Sequence, residues 1–231
     1  MLRTEAVSPE LLGVLRQLME LESLRSFRLV GGTALALQLG HRESVDIDLF
    51  SSNEFPTEDI CNELEEKFNP EQGIRFAKEV MIVLKAKGVK IDIVNDKKIF
   101  IRHAIIEDGI RMASLEEISA MKIKTTCDPF SGRKTQKDLA DIATLLDTFT
   151  VKEMIEFFKE KYPTMSPYSE NVILQLSKDF DVAERKSIMP KMFNGLTWEK
   201  TKQKIGEGLK DYFDGIIQER EIILKRKSEE K

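Results

Sequence analysis

Residues 29–50 read LVGGTALALQLGHRESVDIDLF, and their order decides the fold. A short apolar run over 27–30 predicts a strand, which Gly31-Gly32 breaks. Residues 33–39 (TALALQL) are good helix formers and stop at Gly40, a natural C-terminal cap. In 45–50 (VDIDLF), Val45, Ile47 and Leu49 alternate with Asp46 and Asp48, the period of a strand. Asp46 and Asp48 therefore share one face while their neighbours enter the core. Two such carboxylates repel and resist joint ionisation unless a cation compensates them. All-oxygen ligands favour a hard ion, Mg²⁺ or Mn²⁺. A lone D-x-D pair is common on exposed strands, and paired glycines often make only a tight turn. Together they carry more weight, because glycines at a helix start let a phosphate approach the backbone amides.

Working outward, Ser8-Pro9 opens a helix over 9–24, and Pro56 opens another that reaches 68. Residues 74–78, 80–85 and 89–94 read as strands, the last two joined by a tight turn at Lys87-Gly88. Within the last, Asp92 sits between Ile91 and Ile93 and shares a face with Lys90 and Val94. If that strand neighbours VDIDLF, three carboxylates meet opposite the glycine turn, a setting for two-metal phosphoryl transfer. Past 112 the pattern turns helical. Ser114 and Glu117 suggest a capping box, and helices are predicted over 115–126, 135–149, 152–161, 170–177 and 197–225. The expected class is α+β: a small mixed-sheet core over 1–111, then a helical domain over 112–231 that closes its cleft.

The chain has 231 residues, 41% apolar, enough to bury a core and to exclude wholesale disorder. Its 33% charged residues imply much solvated helical surface. Thirty-six Lys and Arg against 40 Asp and Glu give a net charge of −4, which argues against a binder that is basic throughout. Local basic runs remain: Lys85, Lys87, Lys90, Lys97, Lys98 and Arg102, then Arg133, Lys134 and Lys137. They read either as solvated faces or as a local basic groove. His41 and His103 lack metal-ligand spacing, and Cys61 and Cys127 read as unpaired thiols without a catalytic partner. Trp198 reads as a packing anchor. No apolar run could span a bilayer, and the first residues carry no apolar leader, so a soluble protein of the cytoplasm is expected.

Residues 29–50 resemble the first motif of the nucleotidyltransferase AbiEii/AbiGii toxin family, within the DNA-polymerase-β-like nucleotidyltransferase superfamily. That superfamily's G-[GS]-x(n)-D-x-D pattern falls on Gly31, Gly32, Asp46 and Asp48, and its third carboxylate on Asp92. Thr33 stands at or just after the place of a serine in many members. Residues 114–146, SLEEISAMKIKTTCDPFSGRKTQKDLADIATLL, resemble the family's lysine helix, loop and K-D-x-x-D-[IL] segments. They carry over Lys122, Asp138 and Asp141, with Lys124 a competing candidate on the opposite side of the helix. The resemblance implies transfer of a nucleoside monophosphate from an NTP to a hydroxyl. Asp46, Asp48 and Asp92 would hold Mg²⁺ or Mn²⁺, with Asp92 as ligand or base. Gly31, Gly32 and Thr33 would hold the phosphates, and Arg42, Lys122 and Asp138 would position the nucleotide. It further implies an RNA acceptor (a tRNA end), a toxin role and a separate antitoxin. Two other readings stay open: the same chemistry on a small molecule or protein side chain, and a non-catalytic nucleotide-binding module.

Overall fold

The computed structural model describes residues 1–53, 55–70, 73–78, 80–127, 135–168, 176 and 180–229. The first half obeys its local signals. The Ser8 hydroxyl accepts the Leu11 amide at 3.1 Å and Pro9 takes the first turn of α1 (Pro9–Glu20). Strand β1 (Arg28–Leu29) runs into α2 (Gly31–Leu39), which ends on Gly40 in the left-handed conformation, φ 65°. Strand β2 (Asp46–Ser51), α3 (Thr57–Phe68), β3 (Ile74–Lys78), β4 (Met81–Ala86) and β5 (Val89–Asn95) follow. A hairpin of β6 (Ile105–Glu107) and β7 (Ile110–Met112) was not foreseen. Its strands are too short for alternation to register, although Asp108-Gly109, with φ 49° and 77°, is a typical hairpin turn pair.

The strands form one mixed sheet in the order β3-β4-β5-β2-β1-β7-β6. Strands β2 and β5 are parallel neighbours, which places Ile47 beside Ile91, Leu49 beside Ile93, and Asp48 beside Asp92. Alternation then sorts the two faces. Ile47, Leu49, Ile82, Leu84, Ile91 and Ile93 are buried on the face that packs under α1 and α3. Asp46, Asp48, Phe50, Asp92 and Val94 stand half-buried on the other.

The second half contributes α4 (Leu115–Cys127), α5 (Gln136–Leu145), α6 (Val151–Lys161), α7 (Phe180–Lys186) and α8 (Trp198–Glu229). Helix α4 packs on α6 and α2, and α5 packs on α8. The anticipated boundary at 111/112 falls inside β7, and sheet residues and helix residues such as Leu139 and Phe158 belong to one continuous core. The loop over 128–134, with Arg133 and Lys134, lies outside the described residues. So do most of the helix expected over 170–177 and the side chain of Cys127.

The expected capping box at α4 is half formed. Ser114 Oγ accepts the Glu117 amide at 3.3 Å, but the Glu117 carboxylate turns away. It accepts the Ile101 amide at 2.7 Å and pairs with Lys161 at 2.5 Å, both side chains about 1% exposed. A complete box forms instead at Thr150 and Glu153, opening α6. Glu117 thus fastens α6 to α4. Glu117→Ala leaves the buried Lys161 ammonium with only the longer contact to Asp96 at 3.5 Å, and should cost about 3 kcal/mol in urea unfolding. A loss below about 1 kcal/mol would mean the pair is not holding the helices together.

Candidate functional site

The glycine turn and the carboxylates are built against each other. Gly31 has φ 68°, and a Cβ there would lie 2.7 Å from Asp48 Oδ2. The first residue of α2 must therefore be glycine on two counts: backbone conformation and the approach of a carboxylate. Gly32 is equally constrained, because its Cβ would lie 2.2 Å from Nη2 of Arg42. The Val30 amide donates to the Asp48 carbonyl at 2.9 Å, so turn and strand are also tied through the backbone. No side chain caps α2, leaving its first amides directed out of the helix start.

Among the three carboxylates the electrostatics are uneven. Loss of water around Asp48 raises its carboxyl to about 6, and the neighbouring Asp92 charge adds to the rise while Lys122 and Lys90 oppose it. Asp92 Oδ2 is taken by Lys90, and its Oδ1 is buried without a hydrogen-bond partner. A hard cation would suit this set: an orphaned carboxylate oxygen beside a carboxyl reluctant to ionise. Asp46, Asp48 and Asp92 are the residues that could hold it. Among the described residues no three His, Cys, Asp or Glu side chains are gathered tightly enough to form a ready-made metal cage.

The second-half residues converge on a different point. Asp141, fully buried, accepts from Arg42 Nε at 2.6 Å, from Arg42 Nη2 at 2.9 Å and from His41 Nε2 at 2.8 Å. Lys122 Nζ lies 2.6 Å from Asp141 Oδ2 and 2.9 Å from Asp138 Oδ1. Burial would raise the Asp141 carboxyl, but Lys122 and Arg42 hold it well below the usual carboxylate range. Burial likewise works against the Lys122 ammonium, and Asp141 and Asp138 overcome it, raising its pKa. As an ionised Asp141 only accepts, His41 presents Nε2–H to it. The Phe193 amide donates to the His41 carbonyl at 2.8 Å and the Glu43 amide to the Lys191 carbonyl at 3.0 Å. The segment before α8 thereby straps residues 41–43.

These positions revise several expectations. Arg42 was expected beside phosphates, yet it is 1% exposed with its guanidinium forked onto Asp141. It reaches the turn by packing over Gly32. The Thr33 hydroxyl faces inward, donating to the Asp46 carbonyl and lying 2.8 Å from Ser44 Oγ, so only its backbone faces the turn. Of the two lysines, Lys122 lies among the site carboxylates, whereas Lys124 Nζ sits over the Tyr162 ring at 5.0 Å. Asp138 meets Lys122 and also accepts the Thr135 hydroxyl at 2.6 Å. Asp141, carried over from the family's second segment beside Lys122 and Asp138, is the centre of the cluster. Its link to His41 and Arg42 spans about a hundred residues, and no local pattern signals it.

The basic run over 85–102 divides. Lys87 reaches Gln17 at 3.5 Å, and Arg102 pairs with Glu160 at 2.8 Å. Lys85 and Lys90 stand on the carboxylate face, in register with each other.

The family described as nucleotidyl transferase AbiEii toxin, type IV TA system, matches residues 13–219. No curated protein matches the chain. A Helicobacter pylori protein described provisionally as a nucleotidyltransferase superposes with a TM-score of 0.57 at 17% identity, covering 90% of this chain and 94% of that one. JHP933 from Helicobacter pylori superposes with a TM-score of 0.56 at 16% identity, over 94% and 95% of the two chains. At such identities the two structures speak for the fold alone.

The raised Asp48 carboxyl makes a stability prediction. It binds its proton more tightly folded than unfolded, so ionising it penalises the fold. The penalty is absent below the unfolded value of 3.8, grows as pH rises, and is complete above about 6. It is on the order of 2–3 kcal/mol. In metal-free buffer, Asp48→Asn should melt several degrees above wild type at pH 8, with the gap closing near pH 4. A variant that melts well below wild type at pH 8 would mean that Asp48 serves the fold through a hydrogen bond.

Proposed function

The chain belongs to the nucleotidyltransferase AbiEii toxin family, and from that premise we propose that it is a metal-dependent nucleotidyltransferase whose acceptor is an RNA end. The observation that carries this reading is the pairing of Asp48 with Asp92 on parallel neighbours, directly against the Gly31 turn. In it, Asp46, Asp48 and Asp92 hold one or two Mg²⁺ or Mn²⁺ ions. Such ions neutralise charge on a transferring phosphoryl group when bound. The amides of Gly31, Gly32 and Thr33 take the triphosphate at the start of α2. Lys122, with one N–H left beyond those given to Asp138 and Asp141, favours the anion as a fixed point charge. Asp138 holds that ammonium in place. Arg42 acts on the nucleotide indirectly, as the positioning residue that fixes the turn at Gly32.

The step balances simply. The acceptor oxygen bonds to the α-phosphorus as the bridging bond to the β-phosphate breaks. Pyrophosphate leaves, and the hydroxyl proton passes to a carboxylate; where Asp46 and Asp48 alone hold the ion, that carboxylate is Asp92, through its unpartnered oxygen. Membership of a type IV toxin-antitoxin family supports a toxin role and a separate antitoxin. No described helix is long and apolar enough to cross a membrane. That agrees with action in the cytoplasm, where NTPs and RNA are both at hand.

The test is label transfer. Each α-phosphate-labelled NTP is incubated with the protein, Mg²⁺ and total RNA or lysate, and pyrophosphate release is followed alongside. Wild type should label RNA. Asp48→Asn should lose roughly a thousandfold or more in rate, several kcal/mol of barrier, with its melting temperature not lowered. Near-normal turnover in that variant would remove Asp48 from the metal-binding set. Label on protein or on a small molecule would replace RNA as the acceptor.

A further inference from the structure

Strand order divides the surroundings of the carboxylates. Strands β2 and β5 sit mid-sheet. On the β1 side lie the glycine turn, α2 and Lys122. On the other side, over β4 and β3, lies a pocket of about 350 Å³ lined by Val45, Asp46, Arg75, Val83, Lys85 and Lys90, among others. That volume falls within the roughly 300–1,000 Å³ of small-molecule sites. Its composition is not what stability alone would choose. Asp46, Lys90 and Lys85 form one row across three strands, so two lysines stand directly opposite each other. Like charges in that relation destabilise a sheet. Asp92 relieves Lys90. Lys85 and Arg75, both exposed, have no ion pair among the described residues. Lysines often guard sheet edges against pairing, but β4 is an interior strand. Beside these cations, Val45 is 64% exposed and Val83 is half-buried, an apolar surface left open.

We propose that this pocket seats the last nucleotides of a single-stranded RNA acceptor, with Arg75 and Lys85 on its phosphodiester and Val45 and Val83 under a base. The combination fits a strand end: two cations for phosphate, an apolar floor for a base face, and carboxylates at one side where the terminal hydroxyl arrives. A cationic rim repels a cationic small acceptor, and a neutral one would leave it unused. The assignment rests on the nucleotidyltransferase reading for what the carboxylates do to that hydroxyl, but the binding itself is a separate claim. It also lets an acidic chain take a nucleic-acid substrate, because Arg75 and Lys85 stand together beside the carboxylates.

Binding is measured by fluorescence anisotropy with a labelled single-stranded RNA oligonucleotide, in chelator and without NTP, across a salt titration. Wild type should bind at low salt and weaken as salt rises. The double variant Arg75→Glu/Lys85→Glu should raise Kd at least tenfold and lower the log–log salt slope by about one to two. Lys210→Glu, on the exposed face of α8, should change neither. An unchanged Kd and slope in the double variant, or no RNA binding by wild type at low salt, would overturn the assignment. Calorimetry with Mg-NTP on the same proteins separates the two claims. Wild-type NTP affinity in the double variant assigns the loss to the acceptor pocket, and an equal loss of NTP affinity would overturn that assignment. Failure of wild type to bind any Mg-NTP would sink the nucleotidyltransferase reading and leave the RNA result to be judged alone.

Discussion

The buried carboxylate of Asp141 is the point on which the two halves of this chain depend. It takes a two-pronged bond from Arg42, a third bond from His41 and the charge of Lys122. Removing any of these groups from water is expensive, and the cluster is tolerable only because each charge faces an opposite one. The consequence is geometric. Arg42 can reach Asp141 only by crossing Gly32, which fixes the turn at the head of α2. Lys122 can reach Asp141 and Asp138 only if α4 presents that side to α5. One acidic residue in α5 thereby sets the glycine turn and aims the lysine of α4. This arrangement buys specificity more than stability, since a well-packed apolar cluster of the same volume could stabilise as much.

The carboxylates on the sheet follow a different logic. Their backbones are held by strand pairing and by the isoleucines and leucine between them, which face the opposite, buried side. Their charges are left in partial conflict. Asp48 resists ionisation and Asp92 keeps one oxygen without a partner. Under the proposed function, a cation and its nucleotide would relieve a cost already present in the free protein.

The parts legible in sequence were those with short-range causes. Alternation placed Asp46, Asp48 and Asp92 on faces, and glycines marked the turn. Ser8-Pro9 and Gly40 marked helix ends. Neighbourhood was harder. That β5 lies beside β2 follows from strand order, which alternation alone does not fix, and only then does Asp92 meet Asp48. The family resemblance set Arg42 to position the nucleotide, but Asp141, 99 positions away, takes its Nε and Nη2 and the Glu43 carbonyl takes its Nη1. Glu117 matched a capping pattern and was taken instead by Lys161, because a buried cation outbids a cap amide for a carboxylate. Lys122 and Lys124 were equal in sequence. Two positions on a helix differ by about 200°, and packing of α4 on α2 and α6 chose between them.

The central claim is that Asp141 and Arg42 act as one buried unit joining the halves. A double-mutant cycle in urea unfolding, with Arg42→Ala, Asp141→Ala and the pair together, tests it most directly. Each single change breaks the buried pair and should cost about 3–5 kcal/mol, with Arg42→Ala at the low end because Lys122 still faces Asp141. The double variant should lose far less than the sum of the two, a coupling of about 2–3 kcal/mol. Losses that add to within about 0.5 kcal/mol would contradict the account, because the two residues would then be contributing independently.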